Sequence, residues 1–339
     1  VNPQGVYFGK TSSVDVGGLV ATTHTAVADE YMKGQLKFNR QGATGAVVIG
    51  AVLVVLMVAF AAHVLEMLLY GFALYGLIAM GFAIVYRATG MVNFAVGEVM
   101  MLIAYISFNL SQIPQLGFVG LLCTTIPIAM VLGLFIERIF IRPMLGEPMF
   151  SRVMVTIGLA VVIRSVVILF WGVEPKAYAR PLGDDIIRFG ELALYPGQIF
   201  SLVVLGVLCI LMALFFRHSR IGIAMRATSN NETTALLMGI NVKQISAISW
   251  LLSSTFAAFA GLAFCLMFSL EPEISQMGLR GFPASILGGL DSVVGGAFGG
   301  LVIGVAENMA GGYLGRGLKE IAGFVLIVLV LMVKPYGLF

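Results

Sequence analysis

Residues 46–86 read AVVIGAVLVVLMVAFAAHVLEMLLYGFALYGLIAMGFAIVY, and across these 41 positions His63 and Glu66 are the only residues drawn from Asp, Glu, Lys, Arg and His. One bilayer crossing takes about 20 apolar residues at about 1.5 Å rise each. A single helix of this length would greatly overshoot the membrane. The simplest reading is two spans joined by a short turn near His63 and Glu66 at the far membrane surface.

The rest of the chain repeats that pattern. Of 339 residues 59% are apolar, 41 are glycine and only 11% are charged, with a mean hydropathy of +1.00. A water-soluble protein carries about 25% charge, so most of this surface faces hydrocarbon. Apolar runs fall at 46–62, 64–86, 93–109, 116–136, 153–171, 198–216, 243–269, 295–312 and 319–334. Only helices and closed barrels satisfy the backbone in lipid, and continuous apolar runs exclude the alternating barrel pattern. The expected fold is therefore an all-α polytopic transmembrane bundle of about nine hydrophobic segments. A net charge of +3 is too small to suggest nucleic-acid binding. Cys123, Cys209 and Cys265 lie in apolar runs without metal-like spacing and read as small buried hydrophobes.

Positive charge orients the bundle. Lys33, Lys37 and Arg40 precede the first run, Arg87 follows the second, and Arg138, Arg142 and Arg152 flank the loop after the fourth. Arg217, Arg220, Arg226 and Lys243 frame the loop after the sixth. With alternating spans all of these share one side, which is the cytoplasmic one. The same alternation places Lys334 on the outside.

The loop RHSRIGIAMRATSNNETTALLMGINVK, residues 217–243, is the longest polar interruption between two clear spans on the basic side. Ser229 or Asn230 can cap a short helix there, with Glu232 in its first turn, Ala235 to Met238 as its body and Gly239 closing it. Such an element suits docking to a soluble partner. It equally suits an interfacial helix with basic flanks attracted to anionic lipid. The nucleotide-binding pattern Gly-x-x-x-x-Gly-Lys-Ser/Thr is absent, so ATP-driven work has to come from another chain.

Inside the runs, Gly296, Gly300 and Gly304 recur every four residues and put a smooth stripe on one helix face. The segment 282–290, bounded by Pro283 and by Gly288 and Gly289, is too short to span and reads as a broken or re-entrant half-helix, used in transporters to hold polar ligands or to hinge. Tight packing alone is the competing reading, and Asp291 is a candidate helix cap. Asn93, Glu98, Arg164, Glu307 and Asn308 also lie within or at the edge of apolar runs. Charges there are costly unless paired or facing a watery cavity. A substrate path and internal pairs, Arg164 with Glu98 or with Glu307, are equally open. Nothing resembles a hydrolase triad or a metal site.

Four ordered stretches together resemble the membrane permease of the branched-chain amino acid ABC transporter family, of the high-affinity type. They are ALYGLIAMGFAIVYRATGMVNFAVGEVMML (73–102), IERIFIRPMLG (136–146), the 217–242 loop, and FPASILGGLDSVVGGAFGGLVIGVAENM (282–309). The resemblance covers residues 66–339 as an importer permease domain. Residues 1–45, a polar tail, and 46–65, an additional hydrophobic segment, fall outside it. It implies that Arg226, Ala227, Asn231, Ala235, Gly239 and Asn241 belong to the segment that seats in an ATPase subunit, with Ala235 and Gly239 at small-residue positions.

It further implies a non-enzymatic, multi-pass permease of the cytoplasmic (inner) membrane that binds no cofactor itself, with ATP and Mg used by ABC ATPase partners. A second homologous permease or second copy, an extracytoplasmic solute-binding protein, lipid and a small-molecule substrate complete the expected partners. Val96 stands where such permeases often carry histidine in the NFAxGE motif, which leaves the solute open. The alternatives are a urea or short-amide ABC importer permease, a gradient-driven secondary transporter or channel, and a structural membrane scaffold.

Overall fold

A computed structural model of the chain describes residues 73–113, 115–178, 192–313, 315–334 and 337–338, with the short strands at 24–26, 38–40 and 187–189. The chain divides into two compact units, Val1–Val64 and Leu65–Phe339, each taken here by itself. In the first, β1 (His24–Ala26) pairs antiparallel with β2 (Phe38–Arg40), His24 opposite Arg40. The expected hydrophobic segment 46–65 and the turn at His63 and Glu66 lie outside the described residues.

The second unit is a helical bundle. Helix α1 spans Ala73–Thr89 and α2 Val96–Ser111. Helix α3, Phe118–Ile136, runs on through a π-turn, Glu137–Ile141, and a 3₁₀ turn, Arg142–Met144. Helix α4 covers Met149–Trp171 and α5 Pro196–His218, with an antiparallel hairpin of β3 (Ile187–Phe189) and β4 (Leu192–Leu194) between them. Then come α6 (Arg220–Asn230), α7 (Glu232–Leu237), α8 (Val242–Cys265), α9 (Gln276–Gly288), α10 (Val293–Tyr313) and α11 (Arg316–Val333). Among the described residues five helices are long and apolar enough to cross a membrane: α3 with its extension, α4, α5, α8 and α10. Nine full-length spans are therefore not what the described residues contain; α1 and α2 are shorter apolar helices.

Helix α8 forms the centre, packed on α2, α3 and α5. Its buried face carries many small residues, Ser246, Ser249, Ser253, Ser254, Ala257, Ala258 and Gly261, beside the large anchors Trp250 and Phe256. In lipid the hydrophobic effect does not drive helices together, so close backbone approach and the van der Waals contact it permits take its place. A methyl on Gly133 of α3 would sit 2.7 Å from the Trp250 carbonyl oxygen, and one on Gly261 would sit 3.0 Å from that of Met100 in α2. Opposite faces of α3, α4 and α5 present Val131, Phe135, Val161, Leu169, Val203 and Ile210 outward, as lipid-facing surfaces require. Cys265 is buried and Cys209 half-buried, but Cys123 is exposed on α3, so the expectation of three buried cysteines fails there. Its run is apolar all round, and one-dimensional hydropathy does not say which face meets lipid.

Two chain breaks lie inside the bundle. After α1 the chain turns at Gly90 (φ 66°) and climbs back without helix through Met91, Asn93 and Ala95, all buried. Helix α2 therefore begins beside the middle of α1, where a methyl on Gly81 would lie 3.7 Å from Val96. The second break is α9, whose 13 residues reach about 20 Å, less than the roughly 30 Å hydrocarbon core. The expected half-helix is thus present, but it starts at Gln276 and carries Pro283 inside it rather than at its boundary. Neighbouring helices make a proline tolerable within an apolar helix. The helix stops at Gly289 (φ 91°), a conformation that a side chain resists.

That short helix changes the orientation of everything after it. Ser292 and the first residues of α10, Val293 and Val294, line one cavity with Arg87, Arg217 and Arg226 on the basic side. Near the chain end, the Leu338 N–H donates to the Leu287 carbonyl at 2.9 Å beside the same break. Helix α9 returns the chain to the basic side, so α10 runs away from that side and α11 back toward it. Lys334 then falls on the basic side, not outside as simple alternation of runs suggested, and the positive-inside rule is better satisfied.

Candidate functional site

The polar residues expected along a path fall into three separate settings. Asn93 is structural: its Oδ1 accepts the Ala95 N–H at 3.0 Å, and the neighbouring Phe94 N–H donates to Thr156 Oγ1 of α4 at 3.2 Å. These bonds satisfy a stretch of non-helical backbone held within the bundle, which hydrocarbon alone would not permit.

The second setting joins α2, α4 and the 3₁₀ turn Pro272–Ser275. Arg164 lies 3.6 Å from Glu273 and also acts electrostatically on Glu98 in the first turn of α2. Arg164 thus pairs with Glu273, a residue outside the apolar runs, rather than with Glu307. Both members stay open, at 36% and 56% side-chain exposure, and Arg164 does so on a helix otherwise lined with exposed valine, leucine and phenylalanine. An ion pair bare to lipid is expensive. This face therefore suits contact with water or with another polar protein surface.

The third setting is closed. The Tyr75 hydroxyl donates to Glu307 Oε2 at 2.5 Å, Arg280 of α9 also reaches that hydroxyl, and Asn308 and Lys319 line the same small cavity. Glu307 is buried, so α1, α9, α10 and α11 are tied together by one polar cluster. Sequence reading placed Glu307 and Asn308 as suspects. It missed Tyr75 and Arg280, because a tyrosine in an apolar run and an arginine near a glycine carry no signal of their own.

Glycines set the crossings around α9. A methyl on Gly288 would collide with the Gly295 carbonyl, one on Gly299 with the Ala284 carbonyl, and one on Gly300 with the backbone of Gly76. Gly97 and Gly278 meet backbone to backbone in the same way. A methyl on Gly296 would sit 3.3 Å from the Ala79 carbonyl, and Gly304 is buried on the same helix. Gly289 provides the left-handed turn between α9 and α10.

On the basic side, residues 220–237 form two helices where one was expected. Helix α6 is capped by Ser219, whose Oγ accepts the Ile221 N–H at 3.2 Å. Ser229 and Asn230, the expected caps of the short helix, instead complete α6. The cap of α7 is Asn231, with Oδ1 accepting the Thr234 N–H at 2.9 Å, because its extended backbone (φ −158°) separates the two helices. Asn241 caps α8 in the same way through Gln244 at 3.2 Å. Gly239 (φ 80°) makes the turn between them in open space.

Arg226 donates to the Phe216 carbonyl at 3.4 Å, and Ala227 is exposed. Ala235 is 3% exposed and faces the protein's own core, whereas Leu237 and Met238 are 84% and 78% exposed and Leu236 lies beside them. Glu232 is bridged to Arg152 of α4 at 3.4 Å, tying the short helix to a membrane helix. In sequence the apolar tip Leu236–Met238 reads only as helix body. Its period could not reveal which side faces out.

Among the described residues no cluster of three or more His, Cys, Asp or Glu side chains could hold a metal ion.

A multi-pass membrane bundle with internal helix breaks, ion-paired polar residues and a braced apolar tip on its basic side is a membrane transport protein in class. Residues 64–333 match the family described as branched-chain amino acid transport system / permease component, and the chain belongs to that family. It is 31% identical over 282 residues to the high-affinity branched-chain amino acid transport system permease protein LivH of Escherichia coli strain K12, covering 78% of this chain and 90% of the relative. It is 31% identical over 295 residues to the corresponding protein BraD of Pseudomonas aeruginosa, with 81% and 95% covered. The probable branched-chain amino acid transport permease protein LivH of Methanocaldococcus jannaschii is 26% identical over 295 residues, with 80% and 92% covered. The family is one of transport permeases, not of enzymes.

Proposed function

We propose that this chain is the permease subunit of a binding-protein-dependent ABC importer for branched-chain or related amino acids in the cytoplasmic (inner) membrane. ABC ATPase subunits hydrolyse ATP with Mg and move the tip Leu236–Met238. The Arg152–Glu232 bridge and α6 carry that motion into α4, α5 and α8. A second homologous permease, or a second copy, covers the polar face of α4, and an extracytoplasmic solute-binding protein delivers substrate from the opposite side.

The observation that carries this reading is the half-open Arg164–Glu273 pair, with Glu98 within the electrostatic reach of Arg164. An α-amino acid is a zwitterion, and a guanidinium beside carboxylates offers partners of both signs to its carboxylate and ammonium groups. Membership of the permease family supports the same solute class.

Reconstitution of the chain with its companion permease, ATPases and binding protein in proteoliposomes tests it. Leucine, isoleucine or valine uptake that requires ATP inside and binding protein outside is expected. ATP-dependent uptake of urea or a short amide alone would change the solute. Uptake without ATPase on a proton or sodium gradient would overturn the mechanism.

A further inference from the structure

Between α5 and α10 runs an apolar groove of ≈ 330 Å³, lined by Leu202, Leu205, Gly206, Cys209, Val294 and Phe298 among others. It shares Ala213 and Val294 with a second cavity of ≈ 360 Å³ on the cytoplasmic side, so the two form one trench. Chemistry changes abruptly along its length. The second cavity is lined by Arg87, Arg217 and Arg226, together with Ser292 and Val293 at the first turn of α10. Among the described residues this cavity is lined by three arginines and no carboxylate, while Asp291 acts electrostatically on Arg87.

Two of these arginines, Arg87 and Arg226, are presented rather than consumed. The Arg87 guanidinium lies 4.4 Å above the Phe216 ring, which supports its charge without neutralising it. Among the described residues Arg226 donates to the Phe216 carbonyl alone, at 3.4 Å, which leaves its other donors for an incoming anion. The Ser292 hydroxyl accepts the Gly295 N–H at 2.9 Å and orders the first turn of α10. The backbone N–H groups of that turn and the helix dipole add positive potential where the arginines already converge.

We propose that this trench holds an anionic phospholipid of the cytoplasmic leaflet, its phosphate among Arg87, Arg217 and Arg226 and one acyl chain along α5 and α10. Charge complementarity selects the occupant. A neutral protein helix would leave the arginines unmatched, while a free phosphate would leave the groove empty. A lipid headgroup with its chain matches both halves in the right order from the membrane surface inward.

The test is native mass spectrometry of the detergent-purified full chain titrated with phosphatidylglycerol or phosphatidylcholine of the same acyl chains. Preferential retention of phosphatidylglycerol is expected. Arg87→Gln/Arg217→Gln should weaken it about thirtyfold, from the contribution of two basic residues near an anionic headgroup. Gly206→Phe fills the groove at a position where an added Cβ meets nothing within 4 Å. It should also reduce retention, and inorganic phosphate at millimolar concentration should not displace the lipid.

Equal retention of the two lipids by the wild-type chain would overturn the proposal without depending on any variant. Displacement by phosphate alone would assign the cavity to a free anion instead. A Gly206→Phe chain that changes its oligomeric state while keeping lipid retention would assign the groove to a second copy, and that too would overturn it.

Discussion

The Tyr75 hydroxyl and the Glu307 carboxylate, 232 residues apart in sequence, meet at 2.5 Å and join α1 to α10. Removing the donor leaves a buried carboxylate short of a partner, which costs about 1–3 kcal/mol. Tyr75→Phe is therefore expected to lower the unfolding temperature in detergent. Thermal unfolding of the purified variant checks this, and an unchanged midpoint would show that the pair contributes no net stability.

At the α9–α10 break, Gly288→Ala forces a methyl into the Gly295 carbonyl, while Gly158→Ala on α4 adds one where nothing lies within 4 Å. Overpacking of this kind costs about 1–3 kcal/mol. Size-exclusion profiles and thermal midpoints should show loss of monodisperse protein for the first variant and none for the second.

The apolar tip predicts a separation of functions. Leu237→Asp or Met238→Asp should reduce ATP-driven uptake at least about tenfold, as expected for loss of an anchoring contact. Membrane insertion and thermal midpoint should stay unchanged, because both side chains are exposed. Ala235→Asp should instead lower stability, because that position is buried. Parallel uptake, ATPase and unfolding measurements distinguish the two outcomes.

Arg152 and Glu232 give a charge-swap test. Arg152→Glu should impair coupling of ATP hydrolysis to uptake, and Arg152→Glu/Glu232→Arg should restore much of it. Stability should move by no more than about 1 kcal/mol, the usual range for a partly exposed pair. Failure of the swap to rescue coupling would remove the bridge from the transmission route.

Arg164→Gln should raise the KM for leucine uptake more than it lowers the maximal rate, since it removes a charge offered to the solute carboxylate. An effect confined to protein yield, with KM intact, would make the Arg164–Glu273 pair purely structural.

Much of this architecture is legible one residue at a time. Arg87, Arg217 and Arg226 mark the basic side by type alone, and Gly288 with Gly289 announces the end of α9 because few other residues tolerate that turn. The exposed face of α7 is not legible in the same way. Its few residues make less than two turns, too few for a period to distinguish buried Ala235 from exposed Leu237. Asn231 was passed over as a cap because Ser229 and Asn230 are equally competent cap residues, and only the extended backbone at Asn231 selects among them. Arg164 looked as well placed for Glu98 or Glu307 as for Glu273, since charge matching without distance has no preference.

Sequence alone determined that lipid surrounds most of the chain, that its spans are helical and which side is basic. Transfer free energies and charge bias are sums over neighbouring residues, so they survive projection onto one dimension. Only tertiary structure decided that α9 turns the chain back, that Lys334 ends on the basic side and that Tyr75, Arg280 and Glu307 share one cluster. Those outcomes depend on backbones approaching across hundreds of residues, and small side chains permit such contacts without specifying their partners.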